Sequence, residues 1–430
     1  MWNNGSVRNL KPSLALISFA LFTLQLSAPV GVIAAEKKPT AKRSGMSMLE
    51  QFRKEDDRYA LRLLLFKHPE LNRNARALSE LALNYATVRW LNEAIEASDK
   101  ALKLSPNDPY VLSSRAWILN NNKTSNVAVA PAKLAVQLDP NARNLAILAE
   151  VLQACDRPSE ADDALAKARK ADPNSFDLTA SNARILIARL KGPEALALLS
   201  GYLKTHPDDM RALTLRSELA DMMGKRKQAI ADLTAILKRK PEHSFALQKR
   251  AEVYQKEKEY ALASADIRKL LTLDGDAGVK IVASKTLSEC EESLGNIEAA
   301  YKARAKILEI ECQPYKNDLT IAIQNLSFDF VKDTVDCARL EIALKRYASA
   351  FAKLNSILNY YPNNSKAREL RAYSLEGLSR WKEALADWSR LITRQPTYPK
   401  WYENRARVYK KLGKEDAANK DLETARKLSE

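Results

Sequence analysis

The stretch Ala77–Pro106, ALSELALNYATVRWLNEAIEASDKALKLSP, decides the fold. Leu78, Leu81, Ala82 and Tyr85 recur at helical spacing, and so do Leu91, Ala94, Ile95 and Ala101. Each set draws one apolar stripe along a helix of about a dozen residues. The small Ala82 and Ala94 allow two antiparallel helices to approach closely. Pro106 ends the second helix, because it has no amide hydrogen and clashes with the preceding turn.

Outward from this unit the same marks return. Prolines stand at 106, 140, 173, 207 and 241, at intervals of 34, 33, 34 and 34; Gly275 keeps the interval, and Pro362 and Pro396 resume it. Twelve residues before these marks lie Ala94, Ala128, Ala161, Ala195, Ala229, Ala263, Ala350 and Ala384, with Ala418 in step before the last residue. Twelve residues further back lie Ala82, Ala116, Ala149, Ala183, Ser217, Ala251, Ala338, Ala372 and Ala406. A period of this length predicts an all-α fold, an α-solenoid forming a right-handed superhelix of about ten stacked antiparallel helix pairs. Asn107-Asp108, Asn141, Asn174, Asp208 and Asn363-Asn364 follow the prolines and are placed to cap the next helix.

The pattern resembles the tetratricopeptide repeat (TPR) family, whose units carry a large residue, a small residue, Tyr, Ala and Pro in this order. Leu78, Ala82, Tyr85, Ala94 and Pro106 fit it closely, as do Leu247, Ala251, Tyr254 and Ala263, and Tyr402, Ala406, Tyr409, Gly413 and Ala418. Where the family often has Leu-Gly, this chain has Arg-Ala at Arg115, Arg250, Arg371 and Arg405. The resemblance covers roughly residues 70–430 and is specific for fold, since such units serve many assemblies. Family members that grip a C-terminal carboxylate have Asn where this chain has Leu83, Trp117, Glu150, Arg184 and Glu218, so that clamp is absent.

The beat breaks between Gly275 and Pro362. Gly295-Asn296 still separates two helices, and the 48 residues from Pro314 to Pro362 make one unit plus an insertion of 14 within 315–330. The insertion is either a helix plugging the register change or a partner-binding segment or hinge. This divides the chain into a block 49–314 with a capping helix over 47–67, the insertion 315–330, and a block 331–430.

Ahead of the repeats, Arg8 and Lys11 precede an uncharged run from Ser13 to Ala35 that ends in small residues. Residues 1–35 read as a signal peptide, with an uncleaved membrane anchor as the alternative. Residues 36–48 read as a flexible tether. The expected location is therefore periplasmic or secreted. The sequons at Asn122, Asn325 and Asn363 matter only in a host that glycosylates exported chains.

Chemistry is sparse. There are 11 glycines in 430 residues, against a usual share of roughly 7%. That disfavours β-rich and dinucleotide-binding folds. His68, His206 and His243 sit at separate inter-repeat turns, where no converging partners are expected, so neither a metal site nor a catalytic base is assigned. No phosphate-loop, nucleophile-elbow or zincin motif occurs. Cys155, Cys290, Cys312 and Cys337 lack CxxC spacing and read as small buried side chains, with one disulfide near the irregular region as the alternative. No cofactor is expected.

The formal net charge is +16, with a basic peak from Lys225 to Lys258. Exposed helix faces and helix ends account for much of it. Nucleic acid is disfavoured for want of interleaved aromatics. The reading is a non-enzymatic scaffold that holds a peptide or protein partner on the face lined by first helices. A charge-driven binder of an anionic polymer or membrane surface is the alternative. Leu112, Ala116 and Leu119 define the buried stripe of the second unit's first helix, which leaves Tyr110, Ser113, Trp117, Asn120 and Asn121 on the groove side. Arg143, Glu150 and Gln153 extend the groove into the next unit. Trp117 has a rival role, packing between units.

Overall fold

The computed structural model describes residues 69–430, apart from 88, 89, 276, 316, 326 and 327. The signal peptide, the tether, the capping helix 47–67 and His68 lie outside the described residues. Among these the chain forms 21 α-helices, two 3-10 turns and no strand. Five helix pairs come first: α1 Ala75–Thr87 with α2 Leu91–Leu104, α3 Pro109–Asn121 with α4 Ser125–Leu138, α5 Ala142–Ala154 with α6 Pro158–Ala171, α7 Phe176–Ala188 with α8 Gly192–Thr205, and α9 Met210–Met222 with α10 Arg226–Arg239. Two more are α11 Ser244–Lys256 with α12 Tyr260–Thr272 and α13 Ala277–Ser293 with α14 Ile297–Cys312. After the single helix α15 Leu319–Asn325 come α16 Phe328–Ala343 with α17 Tyr347–Tyr360, α18 Ser365–Gly377 with α19 Trp381–Arg394, and α20 Pro399–Lys411 with α21 Glu415–Ser429. Ten pairs stack as a solenoid.

The stacking has a consistent order. Each first helix lies on its own second helix, and α1, α3, α5 and α7 also touch one another in succession. Second helices α2, α4, α8, α10 and α12 meet the first helix of the following unit. The alanines read from the sequence sit at these contacts: Ala82, Ala94, Ala116, Ala128, Ala251 and Ala263 are fully buried.

The turns inside the nine units from α3 onward are set by one backbone conformation. Lys123, Asp156, Leu190, Gly224, Lys258, Gly295, Lys345, Ser379 and Gly413 all have φ between 57° and 78°. The next residue's amide then bonds back across the turn, as Lys191 does to the Leu186 carbonyl at 2.8 Å and Lys225 to Ala220 at 2.7 Å. This left-handed closure satisfies carbonyls that the helix end would leave open.

Between units, side-chain caps start the first helices. Asp108, Asn141 and Asn364 act as expected. At α9 the cap is Asp209 rather than Asp208, and ahead of α7 Ser175, not Asn174, holds the cap position without a side-chain bond. His243, fully buried, caps α11 by accepting the Ala246 amide on Nδ1 at 3.1 Å.

The Arg-Ala steps have a structural role. Arg250 donates from Nε and Nη2 to Asp266 at 2.7 Å each, and from Nη1 to Thr234 at 3.0 Å. Asp266 lies 16 residues ahead on its own unit's second helix, and Thr234 lies 16 behind on the previous one, so one guanidinium ties three helices together. Arg216 does the same with Asp232 and Ser200, Arg371 with Asp387 and Asn355, and Arg405 with Asp421 and Ser389. Arg115 meets Pro131 at the forward position and turns back to Ser98 and Asp99.

The insertion resolves to α15, which buries Ala322 and Ile323 with Phe330, Leu354 and Ile357 and packs on α17. The apolar interior is carried by successive clusters, one running from Ala183 to Ala303 and the next from Leu308 to Leu370. All four cysteines are free thiols. Burial pushes the Cys337 thiol up to about 12 and the Cys290 thiol up to about 11, so both stay protonated and unreactive at neutral pH.

Candidate partner-binding face

The residues singled out for a groove lie on α3 and α5, and the structure brings them together with the next helix, α7. Arg143 reaches back from α5 and covers the Tyr110 ring at 3.9 Å. Its Nη1 and Nη2 donate to Ser113 at 2.6 Å and Ser114 at 3.0 Å. The Tyr110 hydroxyl donates to Glu80 on α1. Glu150 accepts from Ser181 and from Arg184 at 2.9 Å, and Gln153 accepts from Arg189 at 2.7 Å. Arg184 in turn stands 5.4 Å from the Trp117 ring, a cation–π arrangement.

The set therefore needs redrawing. Trp117 is only 8% exposed, Glu150 7%, and Ser113 is fully buried. The reason is that α3 is flanked by first helices on both sides, so the stripe opposite Leu112 and Ala116 faces neighbouring helices and not solvent. The Trp117 ring packs between units with Ala82, Ala86, Ile147 and Val151 in one cluster. Asn121 is exposed, and Tyr110, Asn120, Arg143 and Gln153 are half-buried. Sequence reasoning missed Ser181, Arg184 and Arg189. Their signal was available, since Glu150 and Arg184 stand 34 residues apart, one repeat, as opposite charges.

Two polar groups in this stretch are left over. The Trp117 Nε1 and the Asn120 Oδ1 are buried and have no hydrogen-bond partner. They are a donor and an acceptor one turn apart on the same helix. An unpaired buried polar group costs about 1–3 kcal/mol.

Half of the ten cations in the basic peak meet local carboxylates. Arg226 meets Glu257, Lys249 meets Glu252, Lys256 meets Asp221, Arg239 meets Asp208, and Arg250 is held by Asp266. Among the described residues no group of three or more His, Cys, Asp or Glu side chains is placed to hold a metal ion. None of their helices is long and apolar enough to cross a membrane.

A family model for the tetratricopeptide repeat matches residues 75–108, which span α1 and α2. Nine further helix pairs follow that unit, six of them in unbroken order before the single helix α15. Residues 75–108 are a tetratricopeptide-repeat unit.

No curated protein matches this chain. Among solved structures it is similar to a chain of Naa15/Naa10 bound to HypK-THB, at 18% identity over 89% of this chain and 63% of that one, with a TM-score of 0.33. It thus spans less than two thirds of that chain's length. It is also similar to PilW, a type IV pilus biogenesis factor, at 20% identity over 47% of this chain and 92% of PilW, with a TM-score of 0.36. A tetratricopeptide repeat protein from Parabacteroides merdae is 18% identical over 67% of this chain and 93% of its own, with a TM-score of 0.32.

Proposed function

We propose that the chain is a non-enzymatic scaffold of the cell envelope or secreted space that holds a peptide segment of a protein partner on its first-helix face. The observation that carries this reading is the unsatisfied pair on α3. An N–H donor at Trp117 and a carbonyl acceptor at Asn120 complement the C=O and N–H of a peptide link. Arg184 covers Trp117 with a side chain that is 39% exposed, and the buried Glu150 keeps the bond from the Ser181 hydroxyl when the guanidinium moves. Asn121 stands exposed beside the pair, and Tyr110 and Gln153 border it on the same face. Most other polar groups of this face are engaged between units, which fixes its geometry before a partner arrives and lowers the ordering cost of binding.

The test places a photo-crosslinking residue at Asn121 in the full chain, followed by capture from the organism's own envelope fraction. A discrete protein adduct that persists at high salt is expected. Bound material consisting of anionic polymer or lipid, and lost log-linearly with salt, would favour the charge-driven alternative instead.

A further inference from the structure

Unit seven, formed by α13 and α14, lacks the arginine clamp that Arg216 and Arg250 make in the two units before it. The position filled by Arg250 in unit six is Leu287 here, one residue before the buried Ser288. Sixteen residues ahead, where unit six has Asp266, stands Ala303; sixteen behind, where it has Thr234, stands Leu271. All three members of the charged clamp are thus replaced by aliphatic side chains. The space they would fill is an open cleft of about 640 Å³ between the second helices α12 and α14, with α13 as its floor. Leu271, Leu287 and Ala303 line it, and Arg268, Lys302 and Lys306 stand around it. The three cations are 51–73% exposed and meet Glu291, Glu298 and Glu309 in pairs. The Lys302–Glu298 and Lys306–Glu309 pairs are exposed on both sides and exchange partners at little cost, whereas Arg268 keeps its Nη2 on the buried Glu291 and has its other donors for an incoming group. Ser284, 1% exposed, also lines the cleft, and its hydroxyl has no hydrogen-bond partner.

We propose that this cleft binds an acidic, amphipathic peptide segment of a partner protein. Apolar side chains of the segment cover Leu271, Leu287 and Ala303, its carboxylates face Arg268, Lys302 and Lys306, and a backbone carbonyl accepts from Ser284. Charge complementarity selects the acidic flanks, and the aliphatic floor distinguishes such a segment from a plain polyanion. The proposal rests on the reading of the chain as a protein-binding scaffold, but it places a contact among second helices rather than on the first-helix face.

The probe is a random twelve-residue peptide display library selected on the full chain, with the enriched peptides then measured by fluorescence anisotropy. Enriched peptides are expected to combine Asp or Glu with spaced Leu, Ile or Phe. Restoring the clamp, with Leu287→Arg and Ala303→Asp together, fills the cleft and should weaken them by about tenfold or more. Lys302→Glu with Lys306→Glu, on exposed positions, should do likewise and guards against misfolding of the first variant. Enriched peptides without acidic bias, or unaffected by both variants, overturn the proposal. So does full competition by inorganic polyphosphate, which has no apolar groups. If those peptides are instead lost on blocking Asn121, the first-helix reading stands and this one falls. If no peptide is enriched at all, both fall.

Discussion

Replacing Arg250 by Leu should destabilise the units around it far more than removing the whole clamp. The Asp266 side chain is 9% exposed and that of Arg250 is 18%, so the pair is mostly out of water. Arg250→Leu leaves the Asp266 carboxylate buried without its two 2.7 Å donors. Breaking a buried pair costs about 3–5 kcal/mol; the partial exposure of Arg250 brings the expected cost to about 2–4 kcal/mol. Adding Asp266→Ala removes the stranded charge and reproduces the Leu287/Ala303 arrangement of unit seven. The double variant should return to within about 1 kcal/mol of the parent. Arg371→Leu supplies an internal control, because Asp387 keeps a 3.1 Å bond from Arg368, and its cost should be about half. Stability in such arrays is nearest-neighbour, so amide hydrogen exchange read helix by helix over α10, α11 and α12 is the suitable assay. If Arg250→Leu costs no more than the double variant, the clamp does not act as described.

Trp117→Ala should lower stability by about 3–5 kcal/mol, with the loss centred on α1 to α5, as truncation of a buried aromatic does; a thermal melt unchanged from the parent would return Trp117 to the groove. Leu190 is 93% exposed and has φ 61°, so Leu190→Gly should stabilise by about 0.5–1 kcal/mol, whereas Gly224→Ala should destabilise by a similar amount. Chemical denaturation of the two variants checks both signs. For Asp209, burial alone would raise its carboxyl, but Arg211, Tyr202 and the Ala212 amide outweigh it and hold it below the usual carboxylate value. A lowered folded value means stability that is complete above about pH 4 and is lost as pH falls below it. Asp209→Asn keeps a capping side chain but not the charge, so its deficit at pH 7 should shrink as pH falls below about 4; a deficit that stays constant through that range would refute the linkage.

The solenoid was legible because its determinants are local and repeated. Alanines at fixed phase mark where helices touch, and prolines mark where they end, so Ala82, Ala94 and Pro106 already define a unit. The turn conformation was less legible. Leu190, Lys258 and Ser379 adopt the left-handed state that glycine advertises only at Gly224, Gly295 and Gly413, because helix packing on both sides fixes the backbone whatever the side chain. The groove was misdrawn for a different reason. Helical phase identifies which residues share a stripe, but not that first helices cover one another's flanks. Trp117 and Glu150 therefore disappeared into contacts between units. The clamp was half visible: Arg115, Arg250, Arg371 and Arg405 stood out as departures from the family pattern, while their carboxylates lay 16 residues away on another helix.

Helix α14 belongs to two apolar interiors at once. Ala303 packs in the cluster that begins at Ala183, while Leu308 and Cys312, one to three turns further along, pack in the one that ends at Leu370. The apolar part of the cooperativity between these interiors therefore passes through one rod, which acts as a mechanical fuse, with the Lys285–Asp333 and Glu292–Arg339 pairs of α13 and α16 beside it. Fraying that starts in α9 or in α18 can stop at α14 as long as this helix holds. A lesion within α14 removes a wall from both sides simultaneously. A ligand braced against its outer turn at Lys302 and Lys306 would make unfolding of either interior pull on the same load.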